Sequence, residues 1–278
     1  MAGSAYHETM DVTDYLARID FDGPVSVDLA TLSRLQRRHM TAVPFENLDI
    51  AVNLDPARPR GRGQGEDRGA GEEGEDRVTV DAEQNVRKIV DRRRGGWCFE
   101  LNGAFALVLE QLGFSVMRLG AAVLLDGPSV VIDHLALEVM LDEPYLVDVG
   151  FGDSFIRPLA INRRGPQDGG VGQFEFIASP QGTTLTRHTD GVPTAQYRFK
   201  RVAHQMGDFA AVASSLQHDP NGHWRQKPFA TRLLDGGPDR VTLTRDRLKF
   251  TRNGETEVQP VPSHEWNQTL KTWFGISW

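Results

Sequence analysis

The only cysteine, Cys98, stands in the stretch RRRGGWCFELNGAF, residues 92–105, behind two glycines and ahead of an apolar run with helical spacing. Free cysteine is commonly a small buried hydrophobe, so its position decides what it can do. Gly95 and Gly96 allow a sharp turn that sets the sulfur at a helix start. Unpaired N–H groups and the helix dipole there favour a thiolate and could also hold an oxyanion. A nearby imidazole is the second device that makes a thiol a nucleophile. Of the eight histidines, His134 opens the segment HLALEVML, where Leu135, Leu137, Val139 and Leu141 take one face of a strand and His134, Ala136 and Glu138 the other. The next strand, YLVDVGFG, divides Tyr145, Val147 and Val149 from Leu146, Asp148 and Gly150, so an acid sits where an aliphatic residue is routine. His134 and Asp148 share a face only across an odd-numbered turn, which predicts a loop of three or five residues, or a bulge, around Asp142 and Glu143. Cys98, His134 and Asp148 would then supply nucleophile, base and orienting acid. Singly, each has a plain reading: buried thiol, hydrogen-bonded histidine, strand-end acid.

Helices and strands must carry these residues to one place. Val12, Tyr15, Leu16 and Ile19 recur at helical spacing, and Leu29, Leu32 and Leu35 form a second stripe behind Asp28. A third helix starts at Asp81, whose carboxylate can cap the first turn while Gln84 reaches back; Val86, Ile89 and Val90 form its buried stripe, and Gly95 and Gly96 stop it. The helix from Cys98 carries Leu101, Phe105, Leu109 and Leu112 up to Gly113. From Ser115 the period becomes two, with strands expected over 116–125, 135–141, 145–149, 174–177, 183–187 and 197–202. These strands should form a strongly bent antiparallel sheet or small barrel. A short helix at AAVASSL, a hairpin-like pair in VTLTRDRLKFTRNGETEVQ and a terminal helix complete the chain. Ser263 is the expected cap of that last helix, which carries Trp266, Leu270, Trp273 and Phe274 and ends at Gly275.

The expected class is α+β in three parts: a helical bundle over 1–94, the nucleophile helix with the sheet over 95–202, and a mixed module over 203–278. Residues 56–77 contain nothing more apolar than alanine and read as a flexible surface insertion. Their glycines lack the flanking strand and helix of a dinucleotide loop.

With 39% hydrophobic and 25% charged residues, the 278-residue chain has an ordinary soluble composition. A single cysteine excludes an intrachain disulfide. Thirty-one basic against 38 acidic residues give a charge of −7, which disfavours nucleic acid and anionic membrane as partners. Arg92, Arg93 and Arg94 remain a local cationic patch, either helix-terminal cations or a phosphate contact. The N-terminus lacks a signal-peptide core and no apolar run is long enough to span a bilayer, so the cytoplasm is the expected location. No metal is expected: one cysteine cannot make a thiolate cluster, and His218 and His223, in HDPNGHW, lack a third ligand and read as solvated loop histidines.

Three segments in order resemble the arylamine N-acetyltransferase family: HMTAVPFENLDI (39–50), RRRGGWCFELNGAF, and DHLALEV (133–139) with LVDVGFGDSFIRPL (146–159). The closing FGI of the last helix belongs to the same likeness, which extends over nearly the whole chain with 56–77 as an addition. The resemblance implies a helical bundle, a β-barrel and an α/β lid, related in the first two parts to cysteine proteases and transglutaminases. It also implies Cys98 as acyl-accepting nucleophile, His134 as base and Asp148 as its partner. Acetyl-coenzyme A would be the co-substrate and an aromatic amine or hydrazine the acceptor, in ping-pong order through an acetyl-cysteine. Gly150, Phe151 and Gly152 would lie along the coenzyme, Phe45 and Trp224 would line the acceptor pocket, and Glu46 would pair with Arg94 behind the site. Two positions depart from the family: Asp133 stands where many bacterial members have threonine, and Trp224 where phenylalanine is common. Acceptor preference is therefore not inherited. The same thiol chemistry also serves an amide synthase that closes a polyketide macrolactam and, more distantly, a transglutaminase-like hydrolase. A binding protein with an idle triad is the non-enzymatic alternative.

Overall fold

The computed structural model describes residues 12–51, 77–189, 191–235 and 237–277. Of the insertion expected over 56–77, all but Arg77 lies outside the described residues. The chain begins with α1 (Val12–Arg18), α2 (Leu29–Ala42), the short strand β1 (Phe45–Glu46), α3 (Ala82–Val90) and α4 (Cys98–Gln111). Asp28 caps α2 by accepting the Thr31 N–H at 2.8 Å, and Asp81 caps α3 by accepting the Gln84 N–H at 3.0 Å. The Gln84 side chain reaches back to the Asp81 carboxylate (3.1 Å) and not to its N–H, which Thr79 Oγ1 takes at 3.0 Å. Helix α3 ends before the two glycines expected to stop it: Arg93 adopts φ +50° and the Arg94 N–H bonds the Lys88 carbonyl at 3.2 Å. Gly95 instead permits close approach, since a Cβ there would lie 1.8 Å from the Pro44 carbonyl oxygen. Helix α4 is buried almost all round and packs on α3 and the sheet, as a central helix must.

Eight strands follow: β2 (Ser115–Val123), β3 (His134–Met140), β4 (Pro144–Val147), β5 (Leu159–Ala160), β6 (Gln167–Asp168), β7 (Gln173–Ser179), β8 (Gly182–Thr189) and β9 (Val192–His204). They form one antiparallel sheet in the order β5-β4-β3-β2-β9-β8-β7-β6. The edges β5 and β6 meet through one side chain: the Gln167 amide donates to the Ala160 carbonyl and accepts its N–H, each at 2.9 Å. The barrel is thereby nearly closed without a final ladder. Strand β3 is buried on both faces. Leu135, Leu137 and Val139 pack with the helices, while Ala136 faces the barrel interior with Leu146, Tyr197 and Phe199. The face read as turned from the apolar row thus meets a second core. Met140 pairs with Pro144, which leaves Leu141, Asp142 and Glu143 as the β3–β4 connection, odd in number as the alternation requires.

After a 3₁₀ turn (Met206–Phe209) come α5 (Ala210–His218), the single turn α6 (His223–Gln226), β10 (Ala230–Leu233), β11 (Arg240–Leu243), β12 (Arg247–Arg252), β13 (Glu255–Pro260) and α7 (Trp266–Phe274). The expected hairpin is a three-strand meander, β11 to β13, in a sheet of order β1-β10-β11-β12-β13. Strand β1 belongs to this third part through Phe45, which pairs with Thr231. Ser263 does not cap α7. It opens a 3₁₀ turn in which the Glu265 N–H bonds the Pro262 carbonyl (2.9 Å), and the helix begins only where the Trp266 indole is anchored on the Thr244 carbonyl at 2.9 Å. Gly275 ends it at φ +69°, as expected. The α+β arrangement of bundle, antiparallel barrel and α/β lid is the one read from the sequence.

Candidate active site

Cys98 is the first residue of α4, behind the cap residue Trp97. Its helix start is held from behind by buried charges. Glu100 accepts the Trp97 N–H (3.3 Å) and the Lys88 ammonium (2.7 Å); Lys88 also meets Asp49 at 2.7 Å. Arg94 grips Glu46 (2.8 Å) and Asp49 (3.0 Å), the first of which is the expected pair. Arg94 is thus turned inward, and only Arg92 and Arg93 of the cationic patch are exposed.

His134 opens β3 and Asp148 follows β4, and the odd connection puts them side by side: Nε2 lies 2.7 Å from Asp148 Oδ2. Both are buried, and the Cys98 sulfur lies 3.9 Å from the Asp133 carbonyl oxygen. Burial alone would lower the His134 pKa. The Asp148 carboxylate and the Cys98 sulfur outweigh it and push the value up to about 10.

Asn102, one turn after Cys98, went unread in the sequence. Its amide donates to Asp148 Oδ1 (2.9 Å) and the Leu135 carbonyl (2.6 Å), and its oxygen accepts the Val149 N–H (2.9 Å). The Gly150 N–H adds a further bond to Asp148 Oδ1 at 2.9 Å. The signal available was a polar residue four places after the cysteine, one turn along the same helix. Tyr197 was also missed, and strand alternation does not distinguish it. Its ring lies 5.1 Å from His134 and 5.0 Å from Phe151, and its buried hydroxyl lies near Asp148 without a well-formed hydrogen bond. Burial and that carboxylate push its pKa up.

A cavity of about 540 Å³ opens over the sulfur, lined by Phe45, Cys98, His134, Gly150, Phe151 and Trp224 among others. Asp148 lies behind His134. Gly152 is outside the lining, at φ +90° against the Phe45 ring. Gly150 must lack a side chain, because a Cβ would come within 2.7 Å of Cys98 Cα. Trp224 packs edge-on to Phe45 (6.0 Å) and Trp97 (5.3 Å). His223 departs from the reading as a solvated loop residue. Its ring lies 4.6 Å from that of Trp224, tilted by 40°, and borders the cavity, because the loop folds back over the site. No group of three or more His, Cys, Asp or Glu side chains suited to a metal occurs among the described residues. Nor is any described helix long and apolar enough to cross a membrane.

A sequence profile of the family described as N-acetyltransferase matches residues 28–278. The arylamine N-acetyltransferase of Mycolicibacterium smegmatis is 39% identical over 256 residues, covering 89% of this chain and 85% of that protein. The Escherichia coli K12 arylamine N-acetyltransferase is 29% identical over 250 residues, covering 88% and 80%. Among solved structures, the Salmonella typhimurium arylamine N-acetyltransferase gives a TM-score of 0.81 at 27% identity over 97% of this chain and 92% of that one. The Mycobacterium marinum arylamine N-acetyltransferase in complex with CoA gives 0.78 at 28% identity, over 96% and 93%. Fold and site define an enzyme core of the cysteine-protease-like class, with its thiol on a helix and its imidazole on the adjoining barrel. Within that class, the chain belongs to the arylamine N-acetyltransferase family, and acetyl transfer with acetyl-coenzyme A as co-substrate comes with that membership.

Proposed function

We propose that this chain transfers an acetyl group from acetyl-coenzyme A to an arylamine or arylhydrazine in ping-pong order, through an acetyl-Cys98 intermediate. The observation that carries the reading is the 2.7 Å contact of His134 with Asp148 beside a cavity that also reaches Cys98. His134 binds Asp148 through Nε2, which leaves Nδ1 for the sulfur. The thiolate attacks the thioester carbonyl, and the oxyanion is held by N–H groups in the first turn of α4. Collapse breaks the bond to the coenzyme sulfur, which leaves with the proton from His134. A neutral aromatic amine then attacks the acetyl carbon, His134 takes its proton, and the Cys98 thiolate departs. Gly150 and Phe151 border the path of the coenzyme's thiol arm, with Gly152 setting Phe45 in place. Phe45 and Trp224 provide an aromatic wall for the acceptor ring. In this reading 95–202 carries the reacting groups, and 203–278 closes the cleft with Trp224.

Intact-mass measurement after incubation with acetyl-coenzyme A should show one acetyl adduct that disappears when an arylamine is added. Cys98→Ala protein should show none; an equal adduct on that variant would refute the intermediate. Discharge at the same rate with and without amine would mark a hydrolase instead.

A further inference from the structure

The cavity over Cys98 has walls of opposite charge. The connection between β2 and β3 contributes Asp126 and Asp133, and the facing turn α6 with its exit contributes His223 and Lys227. Asp133 commits Oδ1 to the Val123 N–H at 2.9 Å, while its own carbonyl oxygen lies 3.9 Å from the sulfur. Asp126 is exposed at the mouth and has no hydrogen bond or ion pair among the described residues. Burial lowers the pKa of His223, Asp126 and Asp133 oppose that and Lys227 adds to it, so charges of both signs around the cavity act on its ring. In the acetylated enzyme Cys98 carries no charge, and Asp148 offsets the charge of His134 whenever that ring is protonated. The two carboxylates then outnumber Lys227 along the cavity.

We propose that Asp126, assisted by Asp133, makes the acetyl-enzyme select acceptor amines and hydrazines that carry a cationic substituent over those that carry a carboxylate. The inference rests on the acetyl-Cys98 reading and names its acceptor class. Bland loop acids would give no such ranking, because solvated charges remote from a bound ring act alike on all acceptors.

The test starts from acetyl-enzyme verified by intact mass and follows loss of the adduct. Three acceptors serve as probes: para-propylaniline with a terminal trimethylammonium, carboxylate or methyl group. The propyl spacer insulates the reacting amine from the substituent. The cationic acceptor should discharge the enzyme about tenfold faster than the anionic one at low salt, with the neutral one between. Asp126→Asn should shrink that ratio to about threefold or less, as should salt near 1 M. Ratios within one protein cancel any loss of folded material, and Glu257→Gln, exposed on β13, should leave the ratio unchanged. Equal rates, a preference for the carboxylate, or an unchanged ratio in Asp126→Asn overturns the inference. Absence of the adduct overturns the acetyl-Cys98 reading as well, and the mass measurement tells the two failures apart.

Discussion

His134 keeps its proton because Asp148 and the sulfur oppose the burial that would remove it. That balance makes folding depend on pH. In Cys98→Ala protein the sulfur is gone and Asp148 still holds the imidazole above its ordinary 6.5. The folded state then binds more protons than the unfolded chain. Its stabilisation is complete below about pH 6.5 and is lost as pH rises toward the folded value, which is about 10 with the sulfur present. Adding Asp148→Asn leaves burial in control and reverses the dependence, so stability should fall as pH drops below the unfolded value. Urea unfolding from pH 5 to 10 distinguishes the two slopes; parallel curves would show that Asp148 does not govern the ring. The three side chains proposed to react were legible one by one: a thiol behind glycines, and a histidine and an acid on the wrong face of apolar strands. His223 was not, because nothing in a polar loop says that it folds over a cleft.

Helix α4, strand β3 and the end of β4 converge on one amide. Asn102 bonds the Leu135 carbonyl, the Val149 N–H and Asp148 together, so it fixes the carboxylate relative to the helix that carries the sulfur. Asn102→Ala should lower the rate of acetyl-enzyme formation by up to about 100-fold through misplacement of the reacting groups, with little change in acceptor KM. Asn102→Asp keeps the acceptor oxygen but sets a second charge beside Asp148, and should recover less than half of the loss. An unchanged rate in Asn102→Ala would remove Asn102 from the site. The odd β3–β4 connection was deducible, because strand alternation is strict and an even turn would have parted His134 from Asp148. The ends of elements were less so. Ser263 has the side chain of a cap, yet the anchored Trp266 indole starts α7 two residues later than that cap implies.

At the scale of the molecule, the cluster of Glu46, Asp49, Lys88, Arg94 and Glu100 joins the helical bundle to β1, which pairs with the lid sheet. Lys88→Met would leave Glu100 buried without its cation, and should cost about 3–5 kcal/mol of unfolding free energy in urea titration. A loss below 1 kcal/mol would show that Arg94 alone suffices. By itself the sequence located the helices before Ser115, the run of strands after it, the helix starts at Asp28 and Asp81, and the candidate side chains Cys98, His134 and Asp148, because each depends on local periodicity or on one residue's chemistry. Only the tertiary structure decided that Phe45 pairs into the lid, that Gln167 joins the barrel edges, that Asn102 and Tyr197 surround the carboxylate, and that Asp126 and Lys227 line one cavity. Except for Gln167 and Ala160, seven positions apart, these residues lie tens of positions or more apart, and they come together only when buried cores join distant segments, which no local pattern encodes.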